Sequence, residues 1–251
     1  MSRLIVIFAE PRSGSNLLCE ILECFPRLRV LNEFFSTHIS NSNPDSLLLL
    51  EDHERVRFSE EYNVPNETIP LIEAIRANPQ RSLAIMDELD PRTKVIKIQR
   101  HYLDQFNLYF LFDLDDAIFI TVKRRNKLKR FTSFMQAGKI EKWFKVDTSE
   151  LKILTTADEF IKDEYSSIIY WEKVEKNLKS RNRSNLHLVY EDDFENYHLD
   201  TMLNRLQEYF ATRDLELDIV KKPITLFKQN NSRPQDVIGN WDWIKQNLGF
   251  D

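Results

Sequence analysis

Residues 4–18 read L-I-V-I-F-A-E-P-R-S-G-S-N-L-L, an apolar run from Leu4 to Phe8, a Ser/Gly turn, and the first turn of a segment with helical periodicity. A short strand that passes through such a turn directly into a helix makes consecutive backbone N–H groups converge, and the helix N-terminus reinforces them. The expected ligand is a phosphate or sulfate ester, cradled by Arg12, Ser13, Gly14, Ser15, Asn16 and Leu17. A nucleoside-triphosphatase loop would read G-x-x-x-x-G-K-[ST], with the Lys on the terminal phosphates and the hydroxyl on magnesium. Neither that Lys nor that Gly spacing occurs here. Gly14 is one of four glycines in the chain, placed at the tightest bend, where backbone must approach an anion closely.

A second cationic stretch follows the expected strand 117–122: Lys123-Arg124-Arg125-Asn126-Lys127-Leu128-Lys129-Arg130-Phe131-Thr132-Ser133-Phe134. A guanidinium grips phosphate bidentately, and a hydroxyl adds one more donor. Taken alone, the stretch also reads as a solvated basic helix face or a nucleic-acid patch. With 35 basic and 40 acidic residues the net charge is −5, so the positive charge is local and general polyanion binding is not expected. Lys97, late in an expected strand from Lys94 to Ile98, is the candidate to offset charge on a leaving phosphate oxygen.

The motif P-R-S-G-S at 11–15 resembles the 5′-phosphosulfate loop of sulfotransferases, which use 3′-phosphoadenosine 5′-phosphosulfate as sulfo donor. More narrowly, the chain resembles the Stf0 branch. The carrying residues are that loop, Leu31-Asn32-Glu33-Phe34-Phe35, Lys97, R-R-N-K-L at 124–128 with Ser133-Phe134, and Tyr190-Glu191-Asp192-Asp193. Two positions depart from the pattern: Asn16 stands where Thr is usual, and Arg130-Phe131 replaces a Gln-Ala pair. The resemblance implies that Arg125 and Ser133, eight residues apart, bind the 3′-phosphate, with Arg124 a neighbouring candidate. It also makes Glu33 the general base, with Phe34 and Phe35 partly desolvating the carboxylate and raising its basicity. His101 is the rival base, since other sulfotransferases carry a catalytic His shortly after a strand lysine. The C-terminal third matches loosely. There Ile238-Gly239-Asn240-Trp241-Asp242-Trp243 bears a slight similarity to a loop that closes over nucleotide, with Arg233 in reach of the 3′-phosphate and an indole to stack on adenine; the indoles equally suit anchoring a terminal helix.

Along the rest of the chain, helix 15–25 carries the stripe Leu17, Leu18, Ile21, Leu22 and Phe25, and residues 26–43 read as irregular, closed by the polar cluster 40–44. Helix-prone sequence punctuated by Pro65, Pro70 and Pro79 fills 45–90. Helices are expected near 101–112, from the basic turn as far as Trp143, over 156–180 and over 198–211, with a strand at 186–190. The 156–180 helix carries Phe160, Ile161, Tyr165, Ile168, Val174 and Leu178, and Tyr190–Asp193 is expected to cap the helix after it. Alternating strands and helices imply an α/β fold: one domain over 1–251, a P-loop-like parallel β-sheet with helices on both faces. The loop, Lys97 and Arg125 then meet beyond the strands' carboxyl ends, where such sheets bind ligands. Cys19 and Cys24 are read as packing thiols, and the five histidines show no ligand spacing, so no metal is expected. No leader or run of eighteen apolar residues is present, which suits a cytoplasmic protein.

The expected activity is sulfo transfer to a hydroxyl of a small-molecule or carbohydrate acceptor, without metal or nucleic acid, leaving 3′-phosphoadenosine 5′-phosphate. The alternatives are a nucleotide kinase or NTPase of related topology and a noncatalytic nucleotide or anion binder.

Overall fold

The computed structural model describes residues 3–35, 50–139, 151–195, 198–225 and 233–248. Five parallel strands form one sheet in the order β2-β3-β1-β4-β5: β1 Leu4–Ala9, β2 Leu28–Asn32, β3 Thr93–Gln99, β4 Ile118–Lys123 and β5 Asn185–Val189. The expected parallel α/β architecture is what the chain adopts.

The central strand is buried on both faces, as a parallel sheet covered on both sides requires. Its even positions Leu4, Val6 and Phe8 face one core, where Phe8 stacks on Phe112 and Phe119 with ring centroids 4.9 and 6.1 Å apart. That core is covered by α2 (Asp52–Tyr62), α3 (Thr68–Ala77), α4 (Pro79–Leu89), the short α5 (Tyr102–Gln105), a 3₁₀ turn over Leu108–Asp113, and α7 (Ala157–Ser180). Its odd positions Ile5, Ile7 and Ala9 face α1 (Ser15–Leu22) and α9 (Leu199–Ala211). Between these lie α6 (Lys127–Lys139) and α8 (Tyr190–Asp193), and α10 (Pro234–Val237) and α11 (Trp241–Leu248) follow.

Several expectations need correction. The segment read as irregular contains β2, an edge strand whose register against β3 shifts between Val30 and Asn32. The helix expected over 101–112 is instead α5 and the 3₁₀ turn, separated where Asn107 takes φ 48°. On α7 the apolar residues divide: Tyr170, Trp171, Val174 and Leu178 are buried in the core, whereas Ile161, Tyr165 and Ile168 are exposed. Cys24 lies past the end of α1, and both cysteines are buried and free. The polar cluster 40–44 and the extension to Trp143 lie outside the described residues.

Candidate active site

The turn after β1 is held by two left-handed residues, Arg12 at φ 66° and Gly14 at φ 91°. Between them Ser13 closes the bend on Glu10, its amide and hydroxyl both donating to the Glu10 carbonyl, at 3.3 and 2.8 Å. Gly14 caps α1 without any side-chain hydrogen bond to the helix, and the Leu18 amide makes the bond back to its carbonyl. The first-turn amides of Ser15, Asn16 and Leu17 therefore have no carbonyl one turn back to bond, which leaves a helix N-terminus suited to an anion. Gly14 is required for a further reason: a Cβ there would stand 2.6 Å from Cδ2 of Tyr190.

Strand alternation puts Lys97 on the α1 face of the sheet, beside Val95 and opposite Ile7. It is 1% exposed. Its Nζ donates to Asn16 Oδ1 and lies 2.8 Å from Glu33 Oε1. Glu33 arrives there because β2 ends on Asn32 in a left-handed turn at φ 47°, a conformation Asn tolerates. Its oxygens also accept from Gln99 Nε2 at 2.5 Å and Tyr102 Oη at 3.3 Å. Phe34 and Phe35 turn into the core instead, so the carboxylate is surrounded by donors, not by the expected apolar cage. His101 precedes α5 and packs edge-on against Tyr102, ring centroids 4.0 Å apart.

On the other side of the loop, Arg12 Nε donates to Ser133 Oγ at 2.9 Å, and Arg124 Nη1 donates to the Arg12 carbonyl at 3.0 Å. Arg124 is buried, with its guanidinium 4.3 Å from the Tyr190 ring centroid and its Nε enclosed without a hydrogen-bond acceptor. Burial, and then the neighbouring Arg124, push the Arg12 guanidinium down to about 10. Two crowded, desolvated cations are what an incoming anion would relieve. Arg125 lies outward and pairs with Asp192, its side chain 65% exposed. Glu191 accepts the amides of Arg125 and Asn126 at 2.8 and 2.9 Å, and Asp193 accepts the Val189 amide and Arg205. The acidic run thus caps the basic turn and its own helix, not the helix that follows.

Sequence reasoning missed the cluster beneath the loop. Glu10 is fully buried, accepts from Trp171 Nε1 at 2.8 Å, and lies 3.7 Å from Arg130 and 3.8 Å from Arg100. Arg130, also fully buried, pairs with Asp163 and with Glu164 at 3.1 Å, and Arg100 meets Asp163 at 2.5 Å. The signal was available in part, since Glu10 directly follows a fully apolar strand and Arg130 precedes Ser133 by one helical step. Asn16 thus holds Lys97, and Arg130 joins α6 to α7.

Arg233 sits ahead of α10, exposed and paired with Asp236 at 3.1 Å. Trp241 packs with Ile153, Ile238 and Ile244, whereas Trp243 is 47% exposed. Among the described residues no group of His, Cys, Asp and Glu is arranged to hold a metal ion, and no helix is long and apolar enough to cross a membrane.

No family model matches the chain, and no curated protein does. Among solved structures it is similar to the sulfotransferase domain of the Synechococcus PCC 7002 olefin synthase, at 15% identity and a TM-score of 0.46, over 100% of this chain and 95% of that one. It is also similar to a sulfotransferase domain from the curacin biosynthetic pathway, at 14% identity and 0.45, over 94% of this chain and 82% of that one.

Proposed function

We propose that the chain, as one domain of the Stf0 sulfotransferase type, transfers a sulfo group from 3′-phosphoadenosine 5′-phosphosulfate to a hydroxyl of a small-molecule or carbohydrate acceptor. The observation that carries this reading is the contact of buried Lys97 with both Asn16 of the anion loop and the Glu33 carboxylate, 2.8 Å away. A cation for a leaving phosphate and a carboxylate for a hydroxyl proton are thereby joined at one helix N-terminus. The donor supplies an activated sulfur whose bond to a phosphate oxygen is the one broken.

The loop amides and Arg12 hold the 5′ end, and Arg125 with Ser133 and Arg233 receives the 3′-phosphate, Arg125 exchanging Asp192 for it. Glu33 takes the proton as the acceptor oxygen bonds to sulfur, and Lys97 offsets the charge left on the departing phosphate. Sharing Lys97 with the phosphate also weakens its hold on Glu33, so the base is released only when the donor is in place. His101, two residues beyond β3, is the alternative base, and comparing Glu33→Gln with His101→Gln in sulfo transfer separates them.

The test is calorimetric titration with 3′-phosphoadenosine 5′-phosphate, beside ATP with magnesium. Metal-independent binding of the bisphosphate, weakened about tenfold or more by Arg125→Ala, is expected for loss of a charge-assisted bidentate contact. Magnesium-dependent ATP turnover would favour the kinase or NTPase reading. Bisphosphate binding with no sulfo transfer to any hydroxyl acceptor would leave a noncatalytic binder.

A further inference from the structure

A concavity lies beside α5, the short helix whose Tyr102 hydroxyl donates to Glu33 at 3.3 Å. Helix α4 runs into the start of β3, so its first turn and the end of α3 stand beside the sheet's carboxyl edge, and α5 leaves that edge directly. Between these segments is a cleft of about 760 Å³ whose walls include Arg76, Asn78, Gln105, Phe106, Asn107 and Phe110.

Arg76 is the unusual wall residue. Its guanidinium lies 5.6 Å from the Phe106 ring centroid, and its Nε and Nη2 are enclosed with no hydrogen-bond acceptor. Nη1 is then the nitrogen open to a ligand. Burial pushes the guanidinium below its ordinary pKa, against the opposing influence of Tyr102 and then of Glu73, one turn back on α3. The other cation on the wall, Arg81, is already neutralised by Glu61 and Glu88 at 2.7 and 2.8 Å. A partly desolvated cation without a paired carboxylate is stabilised by an incoming anion.

We propose that this cleft binds an organic monocarboxylate with a flat apolar body, its carboxylate on Arg76 and its body against Phe106 and Phe110. One guanidinium without a paired carboxylate matches one negative charge, and the side-chain amides of Asn78, Gln105 and Asn107 supply neutral donors. The two phenyl rings select an organic anion over inorganic phosphate or sulfate. The site stands independently of the sulfo-transfer reading.

The probe is 3-phenylpropionate, titrated calorimetrically into the full chain at low salt, with 3-phenylpropionamide as its neutral isostere. Saturable binding of the carboxylate at least about tenfold tighter than the amide is expected, the preference disappearing in Arg76→Met and persisting in Arg81→Met. Arg76→Met should unfold at no lower temperature than the parent, because it removes donors that have no acceptor. Absence of saturable carboxylate binding, equal affinity in Arg76→Met, or a lower melting temperature in that variant with binding unchanged would each overturn the proposal.

Discussion

Replacing Arg130 by Met tests whether the buried charge cluster holds the anion loop to its supporting helices. Arg130 is fully enclosed, and its removal leaves Glu10, Asp163 and Glu164 with Arg100 as the remaining cation of the cluster. Taking one partner from a buried pair costs about 3–5 kcal/mol, chiefly because the other charge stays buried and unpaired. The lower end applies, since Arg100 keeps its contact with Asp163 at 2.5 Å and lies 3.8 Å from Glu10. A loss of about 3 kcal/mol, with a urea dependence of about 3 kcal/mol per molar for a chain this long, moves the unfolding midpoint down by about 1 M. Met keeps most of the aliphatic volume, so the shift reads charge more than packing. Adding Glu10→Gln to Arg130→Met removes one stranded charge while Trp171 Nε1 keeps an oxygen to donate to, and should recover part of the loss. A midpoint shift below about 0.3 M, or a double variant no more stable than the single one, would refute the reasoning and make the cluster a bystander.

Two other perturbations give independent readings. Gly14→Ala forces a Cβ to within 2.6 Å of Tyr190 at φ 91°, and left-handed backbone alone costs an ordinary residue about 1–2 kcal/mol; urea unfolding should show at least that loss, and an unchanged midpoint would mean the loop rearranges freely. At the surface, Arg81 and then Arg57 hold the Glu61 carboxyl at about 2 against an ordinary 4.5. The unfolded chain therefore binds more protons between those values, so this contribution is complete above 4.5 and is lost as the pH falls toward 2. Glu61→Gln should be less stable than the parent at neutral pH, with the gap closing on acidification; a gap that stays constant down to pH 3 would show that the pairs do not determine the acid response.

The elements legible in the sequence were those whose own residues suffice to specify them. The run Leu4–Ala9, the strands at 93–99 and 118–123, and the 24-residue α7 with its Thr156/Glu159 capping box each carry their signal within a few turns. Strand β2 was missed because Arg29 and Asn32 break the apolar pattern, and its partners on β3 lie more than sixty residues further along the chain, Leu28 meeting Thr93. On α7, helical periodicity marks an apolar stripe but does not say which part of it meets the core, and Ile161, Tyr165 and Ile168 stay exposed.

The site divides along the same line. The loop is local, so Arg12 to Leu17 could be read from one stretch, whereas the side chains that meet Arg12 and Asn16 come from elsewhere: Glu33 by way of the left-handed Asn32, Lys97 through strand alternation, and Ser133 from the far side of β4. Spacing identified those residues but not which would meet. The two arginines at the end of β4 make the point. In sequence Arg125 is the first candidate and Arg124 its neighbour; in the fold Arg124 is sealed against Tyr190 and bonded to the loop backbone, and Arg125 is exposed and held by Asp192. The buried cation is committed to shaping the turn, and the exposed one is the one that, under the proposed function, would exchange its carboxylate for a phosphate. Substituting them should therefore have different consequences: loss of Arg124 disturbs the loop itself, and loss of Arg125 weakens the ligand while leaving the loop in place.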